Sequence, residues 1–423
     1  MAQELYRHQK SDMKEMLGSD IENTTEYIVA SRYVIHLMKC ALNNLQATEK
    51  PQDCSWKTIY KCISNNNVQG LTYYAVEDKK EMLPKGLQKR WEAYRETVIY
   101  KQLMMAEERR QILSDLSREG LSFLMLKGIH IAKYYSQPGM RDMSDNDILY
   151  GEIESCEDGE YRIKGNTEQE QKETIVRNQK KLIKYMEGRG YKTEGFYGKD
   201  DVCSKDNLYI FEMHRELMDS DSPHKEYYKN PWKFAVKNDD SDYEYHYSME
   251  DEYLFMLAHE YKHYSSCGCG IRHLADLYVF LKAEEKNMDW TYIRKALKLL
   301  ELEAFEKHMK QLSFHAFSPE TEPDIKEEEE LLYMCKCGTF GVFTTLLHHR
   351  VKDFSKEGED LKKAKRRYYF TRFFPPDEFY KKEFPFFYKH KYLRPLLTLW
   401  RGIKGVFCHF HDLKNEIKEI KKM

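Results

Sequence analysis

The chain has no run approaching the roughly 20 apolar residues of a membrane span, so no membrane-crossing helix is expected. It also lacks a charge excess. With 68 basic residues against 70 acidic ones, the formal charge is −2. That balance provides no nucleic-acid footprint over the whole surface. The N-terminal MAQELYRHQKSDMKEML is polar and lacks the apolar core of a signal peptide. Ten cysteines are scattered without a regular framework, which reads as reduced thiols in a cytoplasmic protein. No internal repeat is evident.

What is present argues for packed structure. Aromatic residues make up 14% of the chain although 33% is charged, a balance that disordered chains do not show. The 423 residues suffice for two or three domains and a large core. Residues 1–119 read as a helical region, with Ile28, Ile35, Leu37, Met38 and Leu42 near helical spacing. Leu83-Pro84 precedes a long helix that ends near Gly120. Residues 120–247 read as an α/β core and residues 248–423 as a second helical region. Within these, 151–171 reads as a polar surface excursion and 172–189 as a helix. Glu327–Glu330 reads as a solvated helix start, and Lys362–Arg367 as the solvated face of a helix with a core stripe. Phe373-Phe374-Pro375-Pro376 breaks helicity, and a final apolar-basic helix follows Pro395.

The stretch from Leu121 to Tyr150 concentrates the chemistry. It reads as strand, turn, helix, loop and strand. Gly128 permits a sharp turn or a close approach of backbone to a ligand. The second strand opens with Asp145 and Asp147 at alternate positions, on one face and about 6–7 Å apart. Acids held this way converge on divalent cations, as two-metal phosphoryl transfer requires. A later strand, Asn207–His214, places Leu208, Ile210, Glu212 and His214 on one face, and Glu212 would supply a third carboxylate.

Taken together, Leu126-Lys127-Gly128, Arg141, Asp145-Asn146-Asp147 and Phe211-Glu212-Met213-His214 resemble an uncharacterised bacterial nucleotidyltransferase family. That family lies within the DNA polymerase β-like superfamily. The resemblance continues through His259, His263, Arg272 and Asp276, and into Phe374-Pro375-Pro376 and Leu393-Arg394-Pro395-Leu396. It implies an α+β fold, a small mixed sheet flanked by large helical regions at both ends. It also implies transfer of NMP from an NTP to a hydroxyl-bearing acceptor, using Mg²⁺ or, in its place, Mn²⁺. Asp145, Asp147 and Glu212 correspond to the metal-binding and catalytic acids. Lys127, Gly128 and Arg141 correspond to the nucleotide-binding positions. His214, His259, His263, Arg272 and Asp276 are expected beside the metal ligands or the substrate. Ile129 stands where better-known members of the superfamily carry a small hydroxyl residue. The acceptor, whether small molecule, protein or RNA end, is not legible.

Rival readings attach to other motifs. His259-Glu260-Tyr261-Lys262-His263 satisfies the H-E-x-x-H pattern of zinc peptidases, with Glu260 as base. No glycine-spaced third histidine follows it. The pairs Cys267/Cys269 and Cys335/Cys337 have unusual spacing for structural zinc and read as ordinary thiols. A nucleotide-binding protein without chemistry is a further alternative. The presence of all three acids favours catalysis.

Overall fold

The change of period near residue 120 marks a change of architecture in the structure, a computed structural model. It describes residues 21–194, 198–206, 208–219, 222–266, 268–338 and 361–408. The polar N-terminal stretch and Cys267 lie outside them. The first helices are α1 (Ile21–Leu42), α2 (Trp56–Asn65), α3 (Gln69–Val76) and the 34-residue α4 (Lys85–Arg118). Ser55 caps α2 by accepting from the Thr58 amide, the usual service of a serine at a helix start.

Then come β1 (Ser122–Met125), the one-turn helix α5 (Gly128–Ile131), β2 (Asn146–Gly151), β3 (Ile153–Ser155), β4 (Tyr161–Ile163) and α6 (Glu168–Gly188). They are followed by β5 (Lys192–Glu194), β6 (Asp200–Lys205), β7 (Tyr209–His214), β8 (Ala235–Lys237) and β9 (Glu244–Tyr247). Helices resume with α7 (Met249–Ser266), α8 (Ile271–Glu284), α9 (Trp290–Leu299), α10 (Glu303–Phe317) and α11 (Ile325–Cys337). The protein is therefore α+β, as the sequence pattern implies.

Seven strands form one mixed sheet in the order β5-β6-β7-β2-β1-β9-β8. β2 pairs antiparallel with β1 and parallel with β7. The polar stretch 151–171 is not simply a surface excursion, because β3 and β4 pair there as a two-stranded sheet. One face of the large sheet carries the core. Phe123, Ile148, Tyr150, Phe211 and Met213 pack there with Ile112, Leu113 and Leu116 of α4 and with Leu182 and Met186 of α6. Burial of those alternate positions fixes the register, since a one-residue slip would exchange the two faces of a strand.

The described residues up to 262 and from 269 to 338 make up one compact unit, and those within 263–268 and 361–408 a second. In the first, Asn66 Nδ2 donates to the Cys335 carbonyl (2.8 Å), and Tyr278 Oη donates to Asn43 Oδ1 (2.8 Å). Helices early and late in sequence are thus joined. Glu327 and Glu330 are buried, not solvated as their sequence suggests. Glu327 closes a capping box with Asp324 and accepts from His315 and Gln311, while Glu330 faces His308.

The second unit contains α12 (Leu361–Phe373), α13 (Asp377–Glu383), α14 (Pro385–Lys389) and α15 (Arg394–Cys408). Lys362, Lys363 and Arg366 are exposed on α12 while Tyr368 is buried, a solvated face with a core contact. Arg394 pairs with Asp377 at 2.6 Å and lies over the Tyr380 ring. Among the described residues, no helix is long and apolar enough to cross a membrane. Cys335 and Cys337 are buried and outside any disulfide among the described residues.

Candidate active site

The alternation that buries Ile148, Tyr150, Phe211 and Met213 sends Asp147, Glu212 and His214 to the opposite face of the sheet. Parallel pairing of β2 and β7 sets Asp147 directly beside Glu212. One ligating atom from each of Asp147, Glu212 and His214 falls within 4.8 Å of the others. This is the one such grouping of histidine, cysteine and acidic side chains among the described residues.

Asp145 lies one residue ahead of β2 and is half-buried. Burial and the Asp147 charge raise its carboxyl above the usual range. Between them, Asn146 turns to the core face. Arg109 of α4 donates to its Oδ1 at 2.5 Å, which anchors the strand.

Asp147 is held from two sides. Lys127 Nζ lies 2.6 Å from its Oδ1, and His214 Nε2 lies 2.8 Å from the same oxygen. An ionised carboxylate only accepts, so Nε2 carries the imidazole proton and donates it. Burial acts to raise the Asp147 carboxyl, but Lys127 and His214 outweigh it and hold it well below the carboxylate range. Burial also keeps His214 below its ordinary value, hence neutral.

Glu212 moves the other way. Burial, with the charges of Asp147, Asp145 and Asp200, pushes it up to about 7. Among the described residues, Asp147 Oδ2 and the side chains of Asp145 and Glu212 accept no hydrogen bond. Asp145 is not in the grouping with Glu212 and His214; the Asp147 and Glu212 carboxylates, with free lone pairs, fit a hard divalent cation, which prefers oxygen ligands.

The turn between β1 and α5 works differently from the sequence reading. Lys127, not Gly128, carries the positive φ (50°, with ψ −120°). Such a conformation in a non-glycine residue costs about 1–3 kcal/mol and gathers at functional sites. Gly128 is required for space, because a Cβ there would lie 2.5 Å from Arg141 Nη1.

Arg141 is clamped in turn. Its Nε and Nη2 donate to the two oxygens of Asp276 at 2.8 and 2.9 Å, and Tyr135 Oη adds a third bond at 2.8 Å. Burial works to raise Asp276, but Arg141 and then Arg272 hold it below its usual range. Arg272 also donates to the Asp142 carbonyl at 3.2 Å. The structure therefore brings Arg141, Arg272 and Asp276 together.

The two histidines of the H-E-x-x-H stretch fall in different units, His259 in the first and His263 in the second. The His259 ring packs against Phe255. Glu260 is 1% exposed, and neither of its oxygens has a hydrogen-bond partner among the described residues. That is not the environment of a base that activates metal-bound water.

Sequence reasoning did not single out Asp200, Lys199 or Arg109. Asp200 Oδ2 lies 3.6 Å from His214 Nδ1, and Lys199 Nζ 3.3 Å from Asp200 Oδ2. The β6 sequence Asp-Asp-Val-Cys-Ser-Lys has little apolar alternation, so no signal marked it as a strand.

No curated protein and no solved structure matches the chain. A family model described as "Uncharacterised nucleotidyltransferase" matches residues 52–158 and 176–318, more than half of the chain. These spans include Lys127, Asp145, Asp147, Glu212, His214 and Asp276, and the chain belongs to that uncharacterised nucleotidyltransferase family.

Proposed function

We propose that the protein transfers NMP from a nucleoside triphosphate to a hydroxyl-bearing acceptor and releases pyrophosphate. The supporting observation is the side-by-side placement of Asp147 and Glu212 on parallel strands, with Lys127 fixed on Asp147. Asp145, Asp147 and Glu212 would hold Mg²⁺, or Mn²⁺, in a two-metal arrangement. Bound there, the cations neutralise charge on the triphosphate and on the leaving pyrophosphate.

The chain's own residues do the rest. Lys127 supplies an ammonium to phosphate oxygens next to Asp147. Gly128 leaves that turn open, and Arg141, pinned by Asp276, adds fixed positive charge behind it. Glu212 accepts the proton of the attacking hydroxyl, a role its place directly beside Asp147 allows. The acceptor oxygen forms its bond to the α-phosphorus as the bond to pyrophosphate breaks, and the proton passes to Glu212. His214 keeps Asp147 oriented throughout.

The test is incubation with each labelled NTP, Mg²⁺ and cell extract, followed by identification of the labelled product. Asp147→Asn and Glu212→Gln should each abolish labelling. Triphosphate turnover retained by both variants would refute the metal-site assignment. Metal analysis of the purified protein for zinc addresses the peptidase reading directly.

A further inference from the structure

The helices after residue 360 differ from the rest of the chain in charge and in surface. Residues 361–408 carry 13 Lys and Arg against 3 acidic residues, in a chain whose total is −2. Those 48 positions also hold eight of the seventeen large apolar side chains that stand exposed among the described residues. Basic charge and uncovered apolar surface thus coincide, the combination that marks an interaction surface rather than scattered exposure.

The two faces of α15 explain which side chains are available. Arg394, Leu397 and Arg401 recur at helical spacing and form its packed face. Arg394 lies 4.2 Å over the Tyr380 ring and donates to the Phe387 carbonyl at 3.1 Å. Leu397 is buried, and Arg401 lies 4.8 Å over the Phe379 ring. The same period puts Leu396, Leu399 and Trp400 on the other side of the helix, where they are 64%, 63% and 52% exposed. The arginines are therefore spent on α13 while the leucines face outward, the reverse of what a helix resting in water alone would favour. At 15 residues α15 is shorter than the roughly 20 that a membrane span needs, so it suits lying on a bilayer rather than crossing one.

We propose that residues 361–408 dock on an anionic lipid surface, with α15 lying in the interface plane. Leu396, Leu399 and Trp400 enter the boundary between headgroups and acyl chains, and the basic excess meets the anionic headgroups. Lys363, Arg366, Lys381 and Lys389 are exposed and form no ion pair among the described residues, so their charge is not already neutralised within the protein. Single-stranded nucleic acid would answer the charge, but the outward face of α15 carries two leucines, whose aliphatic chains gain from leaving water and do not stack on bases. A two-fold contact with a second copy would set basic charge against basic charge. An anionic bilayer satisfies the leucines and the lysines together. The inference does not depend on the transfer reaction.

The test is sedimentation of the full chain with vesicles of phosphatidylcholine alone, and with vesicles of phosphatidylcholine and phosphatidylglycerol in a roughly three-to-one ratio. The chain should bind the mixed vesicles about tenfold more tightly than the neutral ones, and added salt should weaken that binding. Leu396→Gln combined with Leu399→Gln should lower affinity for the mixed vesicles about tenfold. Lys381→Gln combined with Lys389→Gln should lower it severalfold and reduce its salt dependence. All four side chains are exposed, so circular dichroism and the thermal midpoint should match wild type in both variants. Failure to sediment with the mixed vesicles overturns the proposal, as does full binding by a folded leucine variant. A single-stranded oligoribonucleotide that binds the chain where the mixed vesicles do not would assign the basic surface to nucleic acid and overturn it as well.

Discussion

Replacing Glu260 should stabilise the protein, and by an amount that grows with pH. The side chain is 1% exposed, both oxygens lack hydrogen-bond partners among the described residues, and burial with the nearby Asp276 charge pushes the carboxyl up to about 8 from 4.5. The folded state thus keeps a proton that the unfolded chain releases. Stability contributed by this position is flat below about pH 4.5, falls between there and pH 8, and is flat again above. At 1.36 kcal/mol for each pH unit, the loss is about 3 kcal/mol at pH 7 and approaches about 5 kcal/mol above pH 8. A neutral but unpartnered carboxyl adds about 1–3 kcal/mol of desolvation at every pH.

Glu260→Met fills similar volume with no polar atom. Its gain over wild type should therefore rise by several kcal/mol between pH 5 and pH 9. Glu260→Gln should flatten the pH dependence but gain less, because a buried amide stays unpartnered. Denaturant titrations at pH 5, 7 and 9 measure both. Parallel stability curves for wild type and Glu260→Met would refute the buried-acid reasoning. The same variant separates the two readings of the H-E-x-x-H stretch, since a peptidase base cannot be lost without loss of activity and a strained core acid can.

Other substitutions have equally definite outcomes. Gly128→Ala places a Cβ against the clamped Arg141 guanidinium and should destabilise by about 1–3 kcal/mol while lowering nucleotide affinity; thermal unfolding and nucleotide titration check it. Arg141→Ala leaves Asp276 buried without its bidentate partner and should cost about 3–5 kcal/mol. The double variant with Asp276→Ala should recover part of that loss in a double-mutant cycle. His214→Phe removes the donor that orients Asp147 and should weaken Mn²⁺ binding about 10–100-fold, read by titration of the metal. Gly70→Ala would set a Cβ 2.0 Å from the Gly139 carbonyl oxygen, a backbone atom with no room to swing aside, and should lower the thermal midpoint sharply.

Some of this was legible in the chain and some was not, for physical reasons. The strands carrying Asp147 and Glu212 are readable because each is a short apolar run too short for most helices, with its acid set among Ile148, Leu149 and Tyr150 or between Phe211 and Met213. The long helix before the core is readable from its spacing and from Leu83-Pro84. The role of Gly128 was not, because it depends on Arg141, thirteen positions on, folding back over the turn. Glu327 and Glu330 looked solvated because a charge run carries no mark of the histidines that face it from α10. Lys199 and Asp200 were invisible for a similar reason, since their neighbours in space are distant in sequence and β6 has little apolar alternation.

The helices that follow the sheet are part of the site's construction. The loop from α5 to β2 delivers Asp145 and Asp147, and its middle is fastened to α8 by Arg141 and Tyr135, both bonded to Asp276. Arg272, on the same helix, holds the Asp142 carbonyl three residues before Asp145. Two positive side chains and one buried carboxylate set where the loop enters the strand, and the strand sets where Asp147 meets Glu212. A sheet cut off after residue 247 would lose Asp276 and Arg272 together and leave the buried Arg141 guanidinium without its bidentate carboxylate partner. Isolated residues 120–247 should therefore fail to give cooperative unfolding or cation binding, although all three acids are present. A truncated core that folded and bound Mn²⁺ like the full chain would show that the carboxylates need no help from α8.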